Sequence, residues 1–283
     1  MNRQSRQLLG VLASILAASL VARAETALPP QGHLAQVNGF ELYYEIHGDG
    51  APLVMLHSFG ASGAAWSPLV PEFAKKYRVI LPDLRGHGRS TNPSGEFSHR
   101  QTALDIFALL DQMGLKSFKA IGASSGAMTL VHMATQQPAR IEAMVLVGGT
   151  DQIGPEVRAL LRDPDCEKLT PEEWKAKREI HKHGDEQILA LQRIFCASKD
   201  SYDDMNFTPP FLSTISARTL IVHGDHDTFF PVRIPVEMYG AIPHAYLWIV
   251  PNGGHIPAYS PRHRDAFQRT ALEFLSGAWE KKP

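Results

Sequence analysis

Gly122-Ala123-Ser124-Ser125-Gly126 lies where an apolar run, Phe118 to Ile121, meets a helix-forming stretch that begins at Ala127. A G-x-S-x-G at a strand-to-helix junction has a steric logic. The serine sits on a very tight, strained turn, and the small residues two positions to either side let strand and helix approach closely. Its hydroxyl is then presented above the sheet edge. The helix that follows brings unpaired backbone N–H groups and its positive dipole end to the same place, where a developing oxyanion can be held. Ser124 is the leading candidate for a nucleophile.

Working outward, Leu34 to Val37 and Phe40 to Ile46 read as a hairpin joined by Asn38-Gly39, a strong two-residue turn signal. The runs Leu53 to Leu56, Val79 to Leu81, Phe118 to Ile121, Met144 to Val147, Leu220 to Val222 and Tyr246 to Val250 are short, apolar and mostly unalternating, as strands buried on both faces should be. Helical patterns, including Thr102 to Met113 and Ala127 to Gln136, separate most of them. The fold class is therefore α/β, a mostly parallel sheet with helices on both faces. From about residue 154 to residue 213 no strand is evident, and helix formers dominate. An insertion there, on the carboxyl-end side of the sheet, reads as a helical cap over the ligand cleft. Its apolar residues Trp174, Leu189, Ile194, Phe195 and Phe211, with Phe229 beyond it, are candidates for pocket wall or cap core alike.

Arg3 and Arg6 precede an apolar stretch from Leu8 to Val21 that ends in Ala22-Arg23-Ala24. This reads as a secretory signal peptide over residues 1–24, too short in its apolar part for a spanning helix, with residues 25–283 as one mature domain. The expectation is a periplasmic or secreted protein with no stable membrane anchor after cleavage. A formal net charge of −1 gives no reason to expect a nucleic-acid partner. Cys166 and Cys196 lie in the helical insertion, and an oxidising compartment permits them to pair or to stay as buried thiols; the sequence leaves both open. Neither stands in a metal-ligand spacing with histidine, and no cofactor is implied.

A serine needs a base, an orienting acid and an oxyanion site. His255, in Val250-Pro251-Asn252-Gly253-Gly254-His255, follows the last strand and is the best base. Two aspartates compete in Gly224-Asp225-His226-Asp227. Asp227 is favoured as the acid because it lies past the turn, whereas Asp225 reads as a residue that hydrogen-bonds backbone within it. Asp151, after the strand ending at Val147, stands where a variant arrangement would put the acid. The backbone N–H groups of Phe59, in His57-Ser58-Phe59-Gly60, and of Ser125 are the oxyanion candidates. His57 reads as a loop brace.

These residues resemble the α/β-hydrolases, in particular their capped, single-domain branch of esterase-like and epoxide-hydrolase-like enzymes. The likeness rests on His57 to Gly60, on Asp83-Leu84-Arg85-Gly86-His87-Gly88-Arg89-Ser90, on the Ser124 turn, on Gly224 to Pro231 and on Gly254-His255, with serine, aspartate and histidine in the family's chain order. It implies that Arg85 and His87 pack and hydrogen-bond beside the site. One departure is Ser58, where the family usually has glycine; its Cβ bears on the aim of the Phe59 N–H. Members that open epoxides or displace halide carry aspartate at the turn, so Ser124 points to acyl chemistry. The expectation is a serine hydrolase acting on a small-molecule ester, lactone or related acyl substrate. Carbon–carbon or amide cleavage by the same triad is the alternative within enzymes, and a non-catalytic binding protein on the same scaffold is the alternative outside them.

Overall fold

Asn38 and Gly39 both adopt positive φ, 44° and 82°, the geometry of the hairpin turn whose twist matches its strands. They join β1 (Gln31–Val37) to β2 (Phe40–His47). The computed structural model describes residues 31–280, so the signal-peptide reading lies outside the described residues. Six further strands complete one sheet: β3 (Ala51–Leu56), β4 (Tyr77–Pro82), β5 (Phe118–Ala123), β6 (Ile141–Val147), β7 (Arg218–Gly224) and β8 (Ala245–Val250). Their order across the sheet is β1-β2-β4-β3-β5-β6-β7-β8. β2 pairs antiparallel with β1 and β4, and every other pairing is parallel.

The unalternating strands follow from burial on both faces. In β3, Val54 and Leu56 join one apolar cluster while Leu53 and Met55 join the other. The first cluster is closed by α2 (His99–Gln112) and α3 (Ser125–Gln136), with Ile106 and Leu130 among its members, and by α8 (Arg233–Ala241). On the opposite face α1 (Val70–Ala74) and α9 (Arg264–Leu275) contribute Phe73, Phe267 and Phe274. Two helices begin earlier than the sequence predicts. α2 starts at His99 because the Ser98 hydroxyl accepts from the Gln101 N–H, a side-chain cap. α3 starts at Ser125, directly after the tight turn.

Between β6 and β7 lie α4 (Pro155–Leu161), α5 (Pro171–Ile180), α6 (Asp185–Ala197) and α7 (Pro209–Leu212). α5 opens with a reciprocal capping box between Thr170 and Glu173. Cys166 and Cys196 form a disulfide that fastens the chain after α4 to α6. The insertion docks on the Asp83–Ser90 loop: Lys182 N–H donates to Gly88 O (2.9 Å), Gly88 N–H donates to His181 Nδ1 (3.1 Å) and Gln187 Nε2 donates to Gly86 O (2.9 Å). Among the described residues, no helix is long and apolar enough to cross a membrane.

Candidate active site

Ser124 connects β5 to α3 with φ 49° and ψ −112°, a left-handed-side conformation that costs a non-glycine residue energy and is held only by its surroundings. Those surroundings are specific. Ser124 N–H donates to Val147 O (2.8 Å) and Ser124 O accepts from Met128 N–H (2.9 Å). A Cβ on Gly122 would stand 2.5 Å from Gly126 O, and one on Gly126 would stand 2.3 Å from Leu56 O. Both glycines are therefore required by close approach of backbone.

The Asp227 carboxylate is fixed by its own loop. Its Oδ1 accepts the N–H groups of Phe229 (2.8 Å) and Phe230 (3.1 Å), which leaves Oδ2 for His255 Nδ1 at 2.8 Å. His255 Nε2 lies 2.9 Å from Ser124 Oγ. Burial pushes the Asp227 carboxyl up, but the charge and hydrogen bond of His255, then His223 and the Phe229 N–H, outweigh it and hold the group below the usual carboxylate range. Because an ionised carboxylate only accepts, His255 carries its proton on Nδ1 and offers Nε2 to the serine hydroxyl. The chain from Ser124 through His255 to Asp227 has the geometry of a nucleophile, a base and an orienting acid.

Asp225 serves the same loops in a way the sequence did not show. Its Oδ1 accepts from Gly253 N–H (3.1 Å), so it ties the histidine loop after β8 to its own turn instead of closing that turn locally. Asp151 is buried with an unpartnered Oδ1, and burial, with Glu237 nearby, raises its carboxyl to about 6. No ion pair or hydrogen bond links it to His255 among the described residues. His57 accepts Leu84 N–H at Nε2 (2.9 Å) and donates from Nδ1 to Ser58 O (2.8 Å); burial lowers its imidazole to about 4. It is a neutral brace. Arg85 forms two hydrogen bonds to buried Asp105, and His87 Nδ1 lies 2.9 Å from Arg85 O.

Phe59 and Ser125 line the same cavity as Ser124 and His255. Ser125 is the first residue of α3, so its N–H stands outside the intrahelical ladder. Ser58 is buried, and its carbonyl accepts both Ala61 N–H (3.1 Å) and His57 Nδ1. The loop carrying Phe59 is thereby held rigidly despite the missing glycine.

A family model described as the alpha/beta hydrolase fold matches residues 51–165. The chain is 30% identical over 271 residues to a 2-hydroxy-6-oxononadienedioate/2-hydroxy-6-oxononatrienedioate hydrolase of Pseudomonas putida, covering 83% of this chain and 91% of that protein. The chain belongs to the alpha/beta hydrolase fold family. A putative carbamate hydrolase of Caulobacter sp. (strain K31) is 26% identical, covering 83% of this chain and 96% of that protein. Among solved structures, the enol-lactonase from Burkholderia xenovorans LB400 superposes with a TM-score of 0.71 at 28% identity, covering 86% of this chain and all of that one. The protein is an enzyme, a hydrolase.

The cavity of this alpha/beta hydrolase holds about 490 Å³. Ile194, Phe195 and Phe229 line it, as do Phe97, Met128 and Leu161, which the sequence reading passed over. Trp174, Leu189 and Phe211 are not among its walls: Trp174 lies under the Arg178 guanidinium, and half-exposed Phe211 stacks on Phe207. The polar residues that sequence reasoning missed are His99 and Asp204. His99 Nε2 is 2.9 Å from Ser125 Oγ and His99 Nδ1 is 2.6 Å from Asp204 Oδ2. No motif in this sequence links His99 to Asp204, 105 positions on, and the one local signal is the Ser98 cap that places His99 at the start of a helix.

Proposed function

We propose that this hydrolase cleaves carboxylic esters or lactones through an acyl-enzyme on Ser124. The observation that carries the reading is the continuous hydrogen-bonded chain Ser124 Oγ, His255 Nε2, His255 Nδ1, Asp227 Oδ2 at 2.9 and 2.8 Å. His255 takes the proton as Oγ attacks the acyl carbon, and Asp227 fixes the tautomer and stabilises the imidazolium. The N–H groups of Phe59 and Ser125 hold the oxyanion, an effect that can contribute ~3 kcal/mol per donor. Collapse of the tetrahedral species breaks the acyl–oxygen bond, and His255 returns the proton to the departing alkoxide. Water, deprotonated by His255, then releases the acid and restores Ser124.

The walls favour an uncharged, largely apolar acyl group, because no lysine or arginine is among the residues that line the cavity, whereas Asp204 and Glu179 are. A dianionic substrate of the kind named for the Pseudomonas putida relative would find no lysine or arginine among those walls. The likeness to that relative nonetheless favours one second reading, hydrolysis of a carbon–carbon bond by the same triad. Turnover of p-nitrophenyl esters of increasing chain length, lactones and vinylogous diketones separates the two. Ester or lactone kcat/KM exceeding that of the diketones, and lost in Ser124→Ala, supports the first reading; the reverse order supports the second.

We also propose export, with cleavage after Ala24. The Cys166–Cys196 disulfide supports it, since such bonds persist in oxidising compartments. Amino-terminal sequencing of the protein from the periplasm or medium should begin at Glu25; an intact Met1 on cytosolic protein would reject this.

A further inference from the structure

The residue after the nucleophile has a histidine and a carboxylate of its own. Ser125 Oγ, His99 Nε2, His99 Nδ1 and Asp204 Oδ2 form a second hydrogen-bonded chain with steps of 2.9 and 2.6 Å, sharing no member with Ser124, His255 and Asp227. Ser125, His99 and Asp204 all line the cavity. The carboxylate is held from behind. Asp204 accepts the N–H groups of His99 (2.8 Å) and Arg100 (3.1 Å) at the start of α2, and its backbone carbonyl lies 2.6 Å from His132 Nε2 on α3. Burial pushes the Asp204 carboxyl up, yet the hydrogen bonds from His132 and His99 outweigh it and keep the group ionised.

This arrangement sets the polarity of Ser125. The Asp204 carboxylate only accepts, so the His99 tautomer that matches it carries its proton on Nδ1 and leaves Nε2 to accept the Ser125 hydroxyl proton. With its proton engaged by His99, Ser125 Oγ keeps only lone pairs for a further partner. Phe97, Met128 and Phe195 are among the other residues that line the cavity, and none of them carries a side-chain donor. A buried acceptor left dry is costly, which makes such a position discriminating. An anionic group would be repelled by Asp204, so the complementary ligand group is a donor without negative charge, and a hydroxyl is one that an ester substrate can carry.

We propose that Ser125, oriented by His99 and Asp204, accepts a hydrogen bond from a substrate hydroxyl a few bonds from the scissile carbonyl, so that hydroxylated esters are preferred over plain ones of equal length. The inference rests on the ester reading above, but binding tests it without turnover. Ser124→Ala protein is titrated with methyl hexanoate and with its α-, β- and γ-hydroxy and β-oxo counterparts. At least one hydroxy ester should bind about tenfold more tightly than methyl hexanoate, within the range of one well-placed hydrogen bond. Adding Ser125→Ala should erase that preference. Adding His99→Phe instead frees the Ser125 hydroxyl to donate, and preference should pass to the β-oxo ester, a switch that loss of structure would not produce. Should His99→Phe not fold, the Ser125→Ala comparison decides alone. Equal binding of all hydroxy and plain esters, a β-oxo preference before His99 is changed, or a preference surviving Ser125→Ala overturns the proposal. Failure of wild-type protein to react with a fluorophosphonate would count against the ester reading and leave these binding ratios intact as evidence.

Discussion

His255 Nδ1 stands 2.8 Å from Oδ2 of Asp227, a carboxylate whose side chain has no exposure to solvent and whose other oxygen is committed to two backbone N–H groups. The ring therefore has one tautomer available for the serine.

Asp227→Asn preserves shape but lets an amide N–H face Nδ1, favouring the tautomer with its proton on Nε2, the wrong side for accepting from Ser124. Ester kcat should fall on the order of 10⁴-fold, as loss of the orienting carboxylate does in such triads. Steady-state kinetics checks this; a drop under tenfold would deny Asp227 its role.

Asp151 gives a pH-dependent prediction of opposite character. Its folded carboxyl is raised to about 6, so its favourable share of stability is full below the unfolded value of about 4 and is lost as pH rises through the folded value. Asp151→Asn removes that loss. The variant should melt about 2–4 °C above wild type near pH 8 and show no gain near pH 4. Thermal scans at the two values test the sign, and an equal shift at both would place the effect outside titration.

Close approach makes Gly126 irreplaceable, since its added Cβ would meet Leu56 O at 2.3 Å. Gly126→Ala should destabilise by about 3 kcal/mol or more, through backbone displacement at the nucleophile turn. Gly240, inside α8, has nothing within 4 Å of an added Cβ. Gly240→Ala should stabilise by about 0.5–1 kcal/mol. Denaturant midpoints of the two variants should move in opposite directions.

Reading from residues reached far where motifs are local. The hairpin was visible in Asn38-Gly39, the strands in apolar runs, and the Ser124, Asp227 and His255 positions in their placement after β5, β7 and β8. Helix starts slipped because a cap at Ser98 and a strained turn at Ser124 act through single side chains and dihedrals, not through periodicity. The cavity wall divided the apolar candidates unpredictably, as Phe195 and Phe211 are alike in sequence terms and differ only in how the insertion packs. His99 and Asp204 were invisible because their meeting depends on the return of the chain after α6 to the start of α2. Pairing of the two cysteines likewise required the fold.

Reduction should loosen that insertion first. The disulfide closes a separation of 30 residues, and a loop of that size corresponds to about 3.6 kcal/mol of chain entropy. A Cys166→Ser/Cys196→Ser protein should show a lower melting temperature than the oxidised enzyme and no further response to reductant. Equal melting temperatures would mean that the bridge contributes nothing to stability.

We propose Ser124 Oγ as the attacking atom. Intact mass spectrometry after treatment with a fluorophosphonate, followed by peptide mapping, tests it most directly. One adduct per chain on the peptide carrying Ser124, absent from Ser124→Ala, is the predicted result. An adduct on Ser125 or elsewhere, or undiminished labelling of the Ser124→Ala protein, would contradict it.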